Sequence, residues 1–151
     1  MDKLEFTKQI DAPRSAVWNA LWDDKTYPQW TTPFSGSSHA VSDWKQGSEI
    51  RFVDGEGSGM LALIDEKIPD EYMSFVMTGM ILGGKEVREG ELVDQWKGGK
   101  ETYTLREKSG GTELYVELSS FGMPEDMIVF FKSAWPKALD KLEELATAGQ
   151  P

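Results

Sequence analysis

Few residues of the types that perform catalysis or bind metals stand at useful spacings in this sequence. His39 is the single histidine and cysteine is absent, which excludes disulfides, thiolate catalysis and cysteine-ligated metals. Transition-metal sites usually combine several such ligands, whereas His39 lies alone in a Gly/Ser-rich segment. We therefore expect His39 to be a surface or structural residue, and we assign no metal site, cofactor or catalytic residue.

The acidic pairs and glycine-rich segments also lack the spacing that chemistry would need. Adjacent carboxylates diverge on a helix and on a strand alike, so we interpret them as solvated surface or turns. The segment DGEGSG (54–59) lacks the spacing of a calcium loop and predicts a hairpin. The two GGK segments, at 83–85 and 98–100, lack the full pattern of a phosphate-binding loop. The adjacent pairs are Asp23-Asp24, Asp65-Glu66 and Glu143-Glu144.

Composition limits the class of protein and its partners. The chain has 151 residues, of which 39% are hydrophobic and 28% charged, a balance typical of one globular domain over 1–151. A net charge of −10 disfavours nucleic acid and anionic membrane surfaces as partners. The N-terminus lacks the pattern of a signal peptide, and no apolar run has the length of a membrane span, so we expect no membrane insertion and a cytoplasmic location. In solution we expect a monomer or weak homodimer.

The elements that would position side chains change period along the chain. An alternating strand over 4–10 precedes a helix that carries Val17, Ala20 and Leu21 on one face, and a shorter helical piece ends near Trp30. Short turn-rich connections then separate several strands, which predicts antiparallel neighbours. The region 82–100 is open to two interpretations, a lid or a hairpin, and ELVDQWK within it could be a further strand. The other predicted strands are 50–53, 60–64, 72–78, 101–107 and 113–121.

The last element is predicted to be one long amphipathic helix over about 124–147. Its apolar stripe recurs at about 100° per residue, and Pro136 within it predicts a lost backbone hydrogen bond and a kink. The predicted sheet can bury its apolar face by curving around this helix, an arrangement that commonly leaves a cavity. The stripe consists of Met127, Phe131, Ala134, Trp135, Ala138, Leu142 and Leu145.

This order of elements, with its motifs, resembles the Bet v 1-like (START-like, SRPBCC) superfamily, and in particular the homologues of the heat-shock-protein-90 ATPase activator. The resemblance spans essentially the whole chain. It implies an α+β helix-grip fold, in which a curved antiparallel β-sheet wraps around a long C-terminal α-helix, with two short helices after the first strand. The matching motifs are Ala12-Pro13, Val17-Trp18, Trp30, Gly110-Gly111-Thr112, Trp135, Ala138-Leu139 and Leu142.

In such a fold, aromatic and methionine side chains from separate segments would surround one cavity. Each could also be ordinary core, but together they favour a cavity wall, with methionines suited to varied apolar shapes. Of the three tryptophans near the N-terminus, we expect Trp18 and Trp22 to brace the first helix and Trp30 to face the cavity. The predicted ligand-binding residues are Trp30, Phe34, Phe52, Met60, Phe75, Met77, Trp96, Tyr103, Met127, Phe130, Phe131 and Trp135.

Three functions are compatible with these observations. The favoured one is a binding protein for a small hydrophobic, aromatic or lipid-like molecule. The second is a co-chaperone-like interaction module with a chaperone partner, which the resemblance implies. The third is an enzyme of the cyclase or hydrolase type, which would require ionisable groups that converge in the cavity. The strand candidates for that role are Glu49, Arg51, Tyr103 and Arg106.

Overall fold

A computed structural model describes residues 3–34, 38–95, 97–119, 122 and 125–148. The predicted strands and helices occur in the predicted order, with the long helix last, and three short elements that the sequence did not predict lie among them. The elements are β1 (Lys3–Ile10), α1 (Arg14–Trp22), α2 (Tyr27–Trp30), β2 (His39–Val41), β3 (Glu49–Val53), β4 (Gly59–Ile68), β5 (Tyr72–Leu82), β6 (Lys85–Val87), α3 (Glu91–Asp94), β7 (Lys100–Lys108), β8 (Gly111–Ser119) and α4 (Glu125–Ala148).

The strands form one antiparallel sheet in the order β1-β8-β7-β5-β4-β3-β2, with β6 added beside β5. The register between β4 and β5 shifts at two places, Leu61/Ala62 and Ile64/Glu66. Such irregularities bend a strand and increase its twist, so they help this sheet to curve. The curved sheet, the long C-terminal helix and the short helices after β1 confirm the predicted helix-grip fold.

The helix α4 packs its apolar stripe against the concave side of the fold, in contact with α1, α2 and β1. Trp135, Ala138 and Leu142 are buried, whereas Met127 and Phe131 near its start are only partly buried. The helix continues through Pro136, whose ring lies on its exposed side. No helix in the described ranges is both long and apolar enough to cross a bilayer.

The first helix is held by tryptophans, as predicted. Trp18 and Trp22 are both 8% exposed, and their rings meet edge to face with centroids 6.1 Å apart. Trp22 also contacts Tyr103 at 4.8 Å and Phe75 at 5.4 Å, which ties α1 to two central strands of the sheet. Pairs of this geometry stabilise a fold beyond the apolar area that they bury.

The region 82–100 begins with a hairpin, which is one of its two interpretations. A two-residue turn at Gly83 and Gly84, both with positive φ, joins β5 to the short strand β6, so this part is a hairpin. The further strand expected in ELVDQWK is wrong, because Glu91–Asp94 form the short helix α3. A four-residue segment cannot show a helical period, which is why the sequence pattern did not separate the two.

Candidate functional site

A cavity of about 200 Å³ lies between the sheet, α2 and the first half of α4. Its wall comes from segments far apart in the chain, since α2 covers one side, β3, β4, β7 and β8 form the floor and α4 covers the other side. The lining residues are Tyr27, Trp30, Thr31, Phe34, Ser38, Phe52, Val53, Asp54, Ser58, Gly59, Met60, Glu101, Tyr103, Leu118, Phe131 and Trp135.

Aromatic rings in mutual contact surround this space. Trp135 contacts Trp30 at 6.1 Å and Tyr103 at 6.1 Å between ring centroids. Trp30 contacts Tyr27 at 5.5 Å, and Tyr27 stacks on Phe52 at 6.4 Å. Phe75, behind the wall, closes the series by contacting Phe52 and Tyr103 at 5.1 and 6.1 Å. We call these six residues the aromatic circuit: Trp135, Trp30, Tyr27, Phe52, Phe75 and Tyr103.

Two more rings extend the wall from the circuit towards the start of α4. Phe34 contacts Trp135 at 5.0 Å and Phe131 at 6.1 Å. Phe34 and Phe131 are partly exposed, unlike Trp135, which is buried. The cavity is therefore open to solvent at this end, as it also is beside the partly exposed Phe52 and Met60.

Hydrogen bonds hold the segment that supplies Trp30. The Trp30 Nε1–H donates to the carbonyl oxygen of Leu21 at 3.0 Å, and the Thr26 hydroxyl donates to that of Ala20 at 2.7 Å. Both bonds attach α2 to the end of α1. The indole N–H of Trp30 is thus already satisfied, so this residue offers its ring to the cavity and no free donor.

Glu101 and Tyr103 form the polar feature of the wall. They are two residues apart on β7, so their side chains share the face of the sheet that is turned towards α4. The Tyr103 hydroxyl donates a hydrogen bond to Glu101 Oε1. Among the described residues, no Lys or Arg forms an ion pair with Glu101. A carboxylate in an apolar wall without a cation is an unusual and costly arrangement.

Burial shifts the pKa values of these groups. Burial raises the pKa of the Glu101 carboxyl from its usual 4.5 to about 7, although the hydrogen bond from Tyr103 lowers it. Burial also raises the pKa of Tyr103, and the charge of Glu101 raises it further. The pKa of Tyr27 rises for the same two reasons, burial first. Near neutral pH, Glu101 can therefore exchange a proton, while both tyrosines keep theirs.

Two other polar side chains of the wall, Thr31 and Asp54, have partners within the fold. The Thr31 hydroxyl donates to the Tyr27 carbonyl at 2.7 Å. Asp54 Oδ1 accepts the backbone N–H groups of Glu56 and Ser58 at 2.8 and 3.0 Å, which confirms the hairpin predicted for DGEGSG. The carboxylate of Asp54 nevertheless adds a second negative charge to the wall.

The structure brings together seven of the twelve predicted ligand-binding residues. Those that line the cavity are Trp30, Phe34, Phe52, Met60, Tyr103, Phe131 and Trp135. Trp96 lies outside the described residues. The remaining four do not line the cavity.

The positions of these four residues in the fold explain why they do not line the cavity. Phe75 and Met77 are fully buried on the central strand β5, where the sheet is covered and no space is left beside them. Met127 packs partly buried against the core one turn before Phe131. Phe130 is 45% exposed, because a step of one residue along a helix rotates its side chain by about 100° away from that of Phe131.

The residues considered for an enzyme do not converge. Glu49 and Arg51 alternate with the inward-facing Ile50, and Arg51 forms an ion pair with Glu86 on the outer face of the sheet. Arg106 is exposed near the far end of β7. Only Tyr103 of the four lies in the cavity, because the period of two along a strand places the others on the opposite face.

His39 lies on the surface, as the sequence predicts. Within the described ranges, no group of three or more His, Asp or Glu side chains could hold a metal ion. His39 is exposed on β2, beside a surface groove of about 450 Å³ that also touches Asp24 and Val41. These three side chains are all exposed, and the lining of the groove is more polar than that of the cavity, so it suits an apolar ligand less well.

Sequence reasoning missed Glu101 and Tyr27 as parts of the wall. For Glu101 a signal was present, because Leu105 and Tyr103 face inwards and the same period of two continues to residue 101. A carboxylate at a strand end is ordinarily solvated, so the residue type predicts an exposed side chain here. Tyr27 stands beside Pro28 at the start of a four-residue helix, too short to show which face is buried.

Comparisons with solved structures support the fold. The Aha1 dimer of Colwellia psychrerythraea is 16% identical with a TM-score of 0.75, and each chain covers 100% of the other. DynU16, a protein of the dynemicin biosynthetic locus, is 22% identical with a TM-score of 0.72; this chain is covered completely but spans 49% of that one. CalU16 of Micromonospora echinospora is 21% identical over 96% of this chain and 76% of its own, with a TM-score of 0.65.

The sequence itself identifies the family. No curated protein sequence is significantly similar to the chain. The family model described as activator of Hsp90 ATPase homolog 1-like protein, however, matches residues 11–147, which include α1, the whole sheet after β1 and nearly all of α4. The helix-grip fold agrees with that match, and the chain therefore belongs to the activator of Hsp90 ATPase homolog 1-like family of the Bet v 1-like (SRPBCC) superfamily.

Proposed function

We propose that this protein binds a small, largely apolar molecule in the cavity between the sheet and α4. The observation that carries the proposal is the unfilled space of about 200 Å³ inside the aromatic wall. Protein interiors are close-packed, and a domain whose core served stability alone would fill such a space with side chains. A cavity of roughly 150 Å³ already admits benzene, so we expect a ligand with about one ring.

The binding function is preferred over the enzyme because the candidate ionisable residues lie mostly outside the cavity. It is preferred over a pure interaction module because the interior is not filled. The proposal includes a monomer or weak homodimer in a cytoplasmic setting. The Colwellia psychrerythraea relative is described as a dimer, and light scattering after size-exclusion chromatography would measure the state of this chain.

Two measurements test the proposal. Native mass spectrometry of freshly purified protein should reveal a co-purifying small molecule. Titration with tert-butylbenzene, followed by amide chemical shifts, should perturb residues around Trp30 and Tyr103. Phe131→Ala should change the affinity, whereas Val129→Ala, at a 63% exposed position on the same helix, should not. A folded wild-type protein that carries no co-purifying ligand and shows no shifts with either this neutral probe or its cationic counterpart phenyltrimethylammonium would refute the binding function.

A second candidate function is a protein-interaction module that acts on a chaperone. Family membership favours it, together with the exposed apolar side chains of Val129 and Phe130 near the start of α4. Purified Hsp90 should then co-elute with this protein on size-exclusion chromatography, and a double change to alanine at 129 and 130 should abolish the complex. If the small molecule binds and no complex forms, the cavity is the functional site.

A further inference from the structure

The wall of the cavity combines aromatic rings with acidic side chains, and its described part contains no basic side chain. Of the sixteen described residues that line the cavity, two are acidic, Glu101 and Asp54. Within the described part of the wall, none is Lys, Arg or His. The whole chain has a net charge of −10, which favours cationic over anionic ligands in general. An anionic ligand would meet repulsion here, and no Lys, Arg or His in the described part of the wall would offset it.

The Glu101 carboxylate has few partners of its own in the fold. Its only side-chain hydrogen bond within the described residues comes from Tyr103, and no Lys or Arg of that part approaches it as an ion pair. A carboxylate accepts several hydrogen bonds when it is satisfied, so this one retains acceptor capacity on the side of the cavity. The Glu101 side chain is partly buried, and a carboxylate in such a wall is stabilised by a positive charge at contact distance.

The aromatic circuit supplies rings that attract cations. Trp30, Trp135, Tyr27 and Tyr103 are the ring types whose faces attract cations most strongly, and all four line the cavity. Aromatic boxes of this kind recognise substituted ammonium groups, because the rings replace water around the methyl groups while their negative faces offset the charge. Phe52 and Phe34 add two further rings to the same enclosure.

We propose that the ligand of this cavity is a compact organic cation, a substituted ammonium whose charged group lies against Glu101 and among the rings of the aromatic circuit. This inference rests on the proposed function and specifies its ligand class. The volume of about 200 Å³ restricts the cation to about one ring or a short chain beside the ammonium group.

A matched pair of probes separates this inference from simple apolar binding. Phenyltrimethylammonium and tert-butylbenzene have nearly the same shape and differ by one positive charge. Isothermal titration calorimetry and quenching of tryptophan emission would measure both affinities. We expect the cation to bind at least about tenfold more tightly than the neutral probe, which equals about 1.4 kcal/mol.

Two variants locate the charge that is responsible. Glu101→Gln keeps the shape of the side chain and should weaken binding of phenyltrimethylammonium by about tenfold or more, while tert-butylbenzene binds at least as well as before. The matched control is Glu107→Gln on the same strand, an exposed residue outside the cavity whose loss alters net charge equally. It should leave both affinities unchanged.

The other possible results separate failure of the cationic ligand class from failure of the binding function. If tert-butylbenzene binds as tightly as the cation, or if Glu101→Gln affects the two probes equally or not at all, the cationic ligand class is wrong while the binding function stands. If Glu107→Gln weakens the cation as much as Glu101→Gln does, the effect is that of net charge, and the inference is also wrong. If neither probe binds the folded protein, the proposed function and this inference fail together.

Discussion

Replacing Glu101 by glutamine should stabilise the protein at neutral and mildly basic pH. The wild-type carboxyl must lose its proton inside an apolar wall, whereas glutamine has nearly the same shape and remains neutral. Burial is the largest cause of the raised pKa of Glu101, and Tyr103 and Tyr27 are the titratable groups that interact with it. Both tyrosines stay protonated in this pH range, so Glu101 is the group in this cluster that titrates.

The direction of the effect follows from the two pKa values of Glu101. Its pKa is about 7 in the folded protein and has its usual value of 4.5 in the unfolded chain. Between these values the folded protein holds a proton that the unfolded chain has lost. The stability from this group is therefore complete below the lower value, falls as pH rises towards about 7, and is constant above that.

The size of the effect follows from the same shift. One pKa unit corresponds to about 1.36 kcal/mol, so the whole shift has an upper limit of about 3 kcal/mol. Only part of it falls between about pH 5.5 and pH 8, a range that avoids the isoelectric point near 4.6, and that part is about 2 kcal/mol. Because the Glu101 side chain is only partly buried, solvent reduces the value, and we expect about 1 to 2 kcal/mol.

Urea denaturation of wild type and Glu101→Gln at a series of pH values measures this quantity. The difference in unfolding free energy between the two proteins should grow in favour of the variant as pH rises, because all other carboxylates cancel in the comparison. Tyr103→Phe should move the titration of Glu101 to higher pH, since it removes a hydrogen bond that stabilises the charged form. A difference that stays flat across the range would refute the desolvation of Glu101.

Three further changes test packing, each by its effect on the free energy of unfolding in urea. Trp18→Ala should cost about 3 to 5 kcal/mol, because Trp18 is 8% exposed and braces α1; a midpoint near that of wild type would contradict this role. Phe131→Ala should cost clearly less than the roughly 3 to 5 kcal/mol expected of the fully buried Phe75→Ala, because Phe131 borders space that is already empty; equal costs would mean a filled interior. Pro136→Ala should stabilise by about 1 to 3 kcal/mol, since proline is costly inside a helix and this position is exposed; a loss of stability would show that the helix needs the proline geometry.

Local patterns in the sequence were sufficient for most of the fold. The helical period predicted α4 with its buried Trp135 and Leu142, and turn residues separated five of the strands. Two three-residue strands, β2 and β6, were missed because three residues are too few to show a period. The strand expected in ELVDQWK failed for the same reason.

Local sequence pattern alone does not determine which residues line the cavity. Phe130 and Phe131 are adjacent and chemically identical, yet one is exposed and the other borders the cavity. Phe52 and Phe75 both face the inside of the sheet, but only Phe52 borders the space. Alternation and helical period indicate a face; they do not indicate whether the opposite surface comes close enough to fill the volume in front of it.

The sequence by itself therefore determined the order of the elements, the faces that they bury and the absence of cysteine chemistry, since these depend on residue type and spacing along the chain. Only the tertiary structure decided that space remains between α2, α4 and the sheet, and that Glu101 lies at its edge beside Tyr103. The physical reason is that packing and desolvation are sums over atoms from distant segments. The pKa of Glu101 is raised by residues that the chain brings together only when it folds.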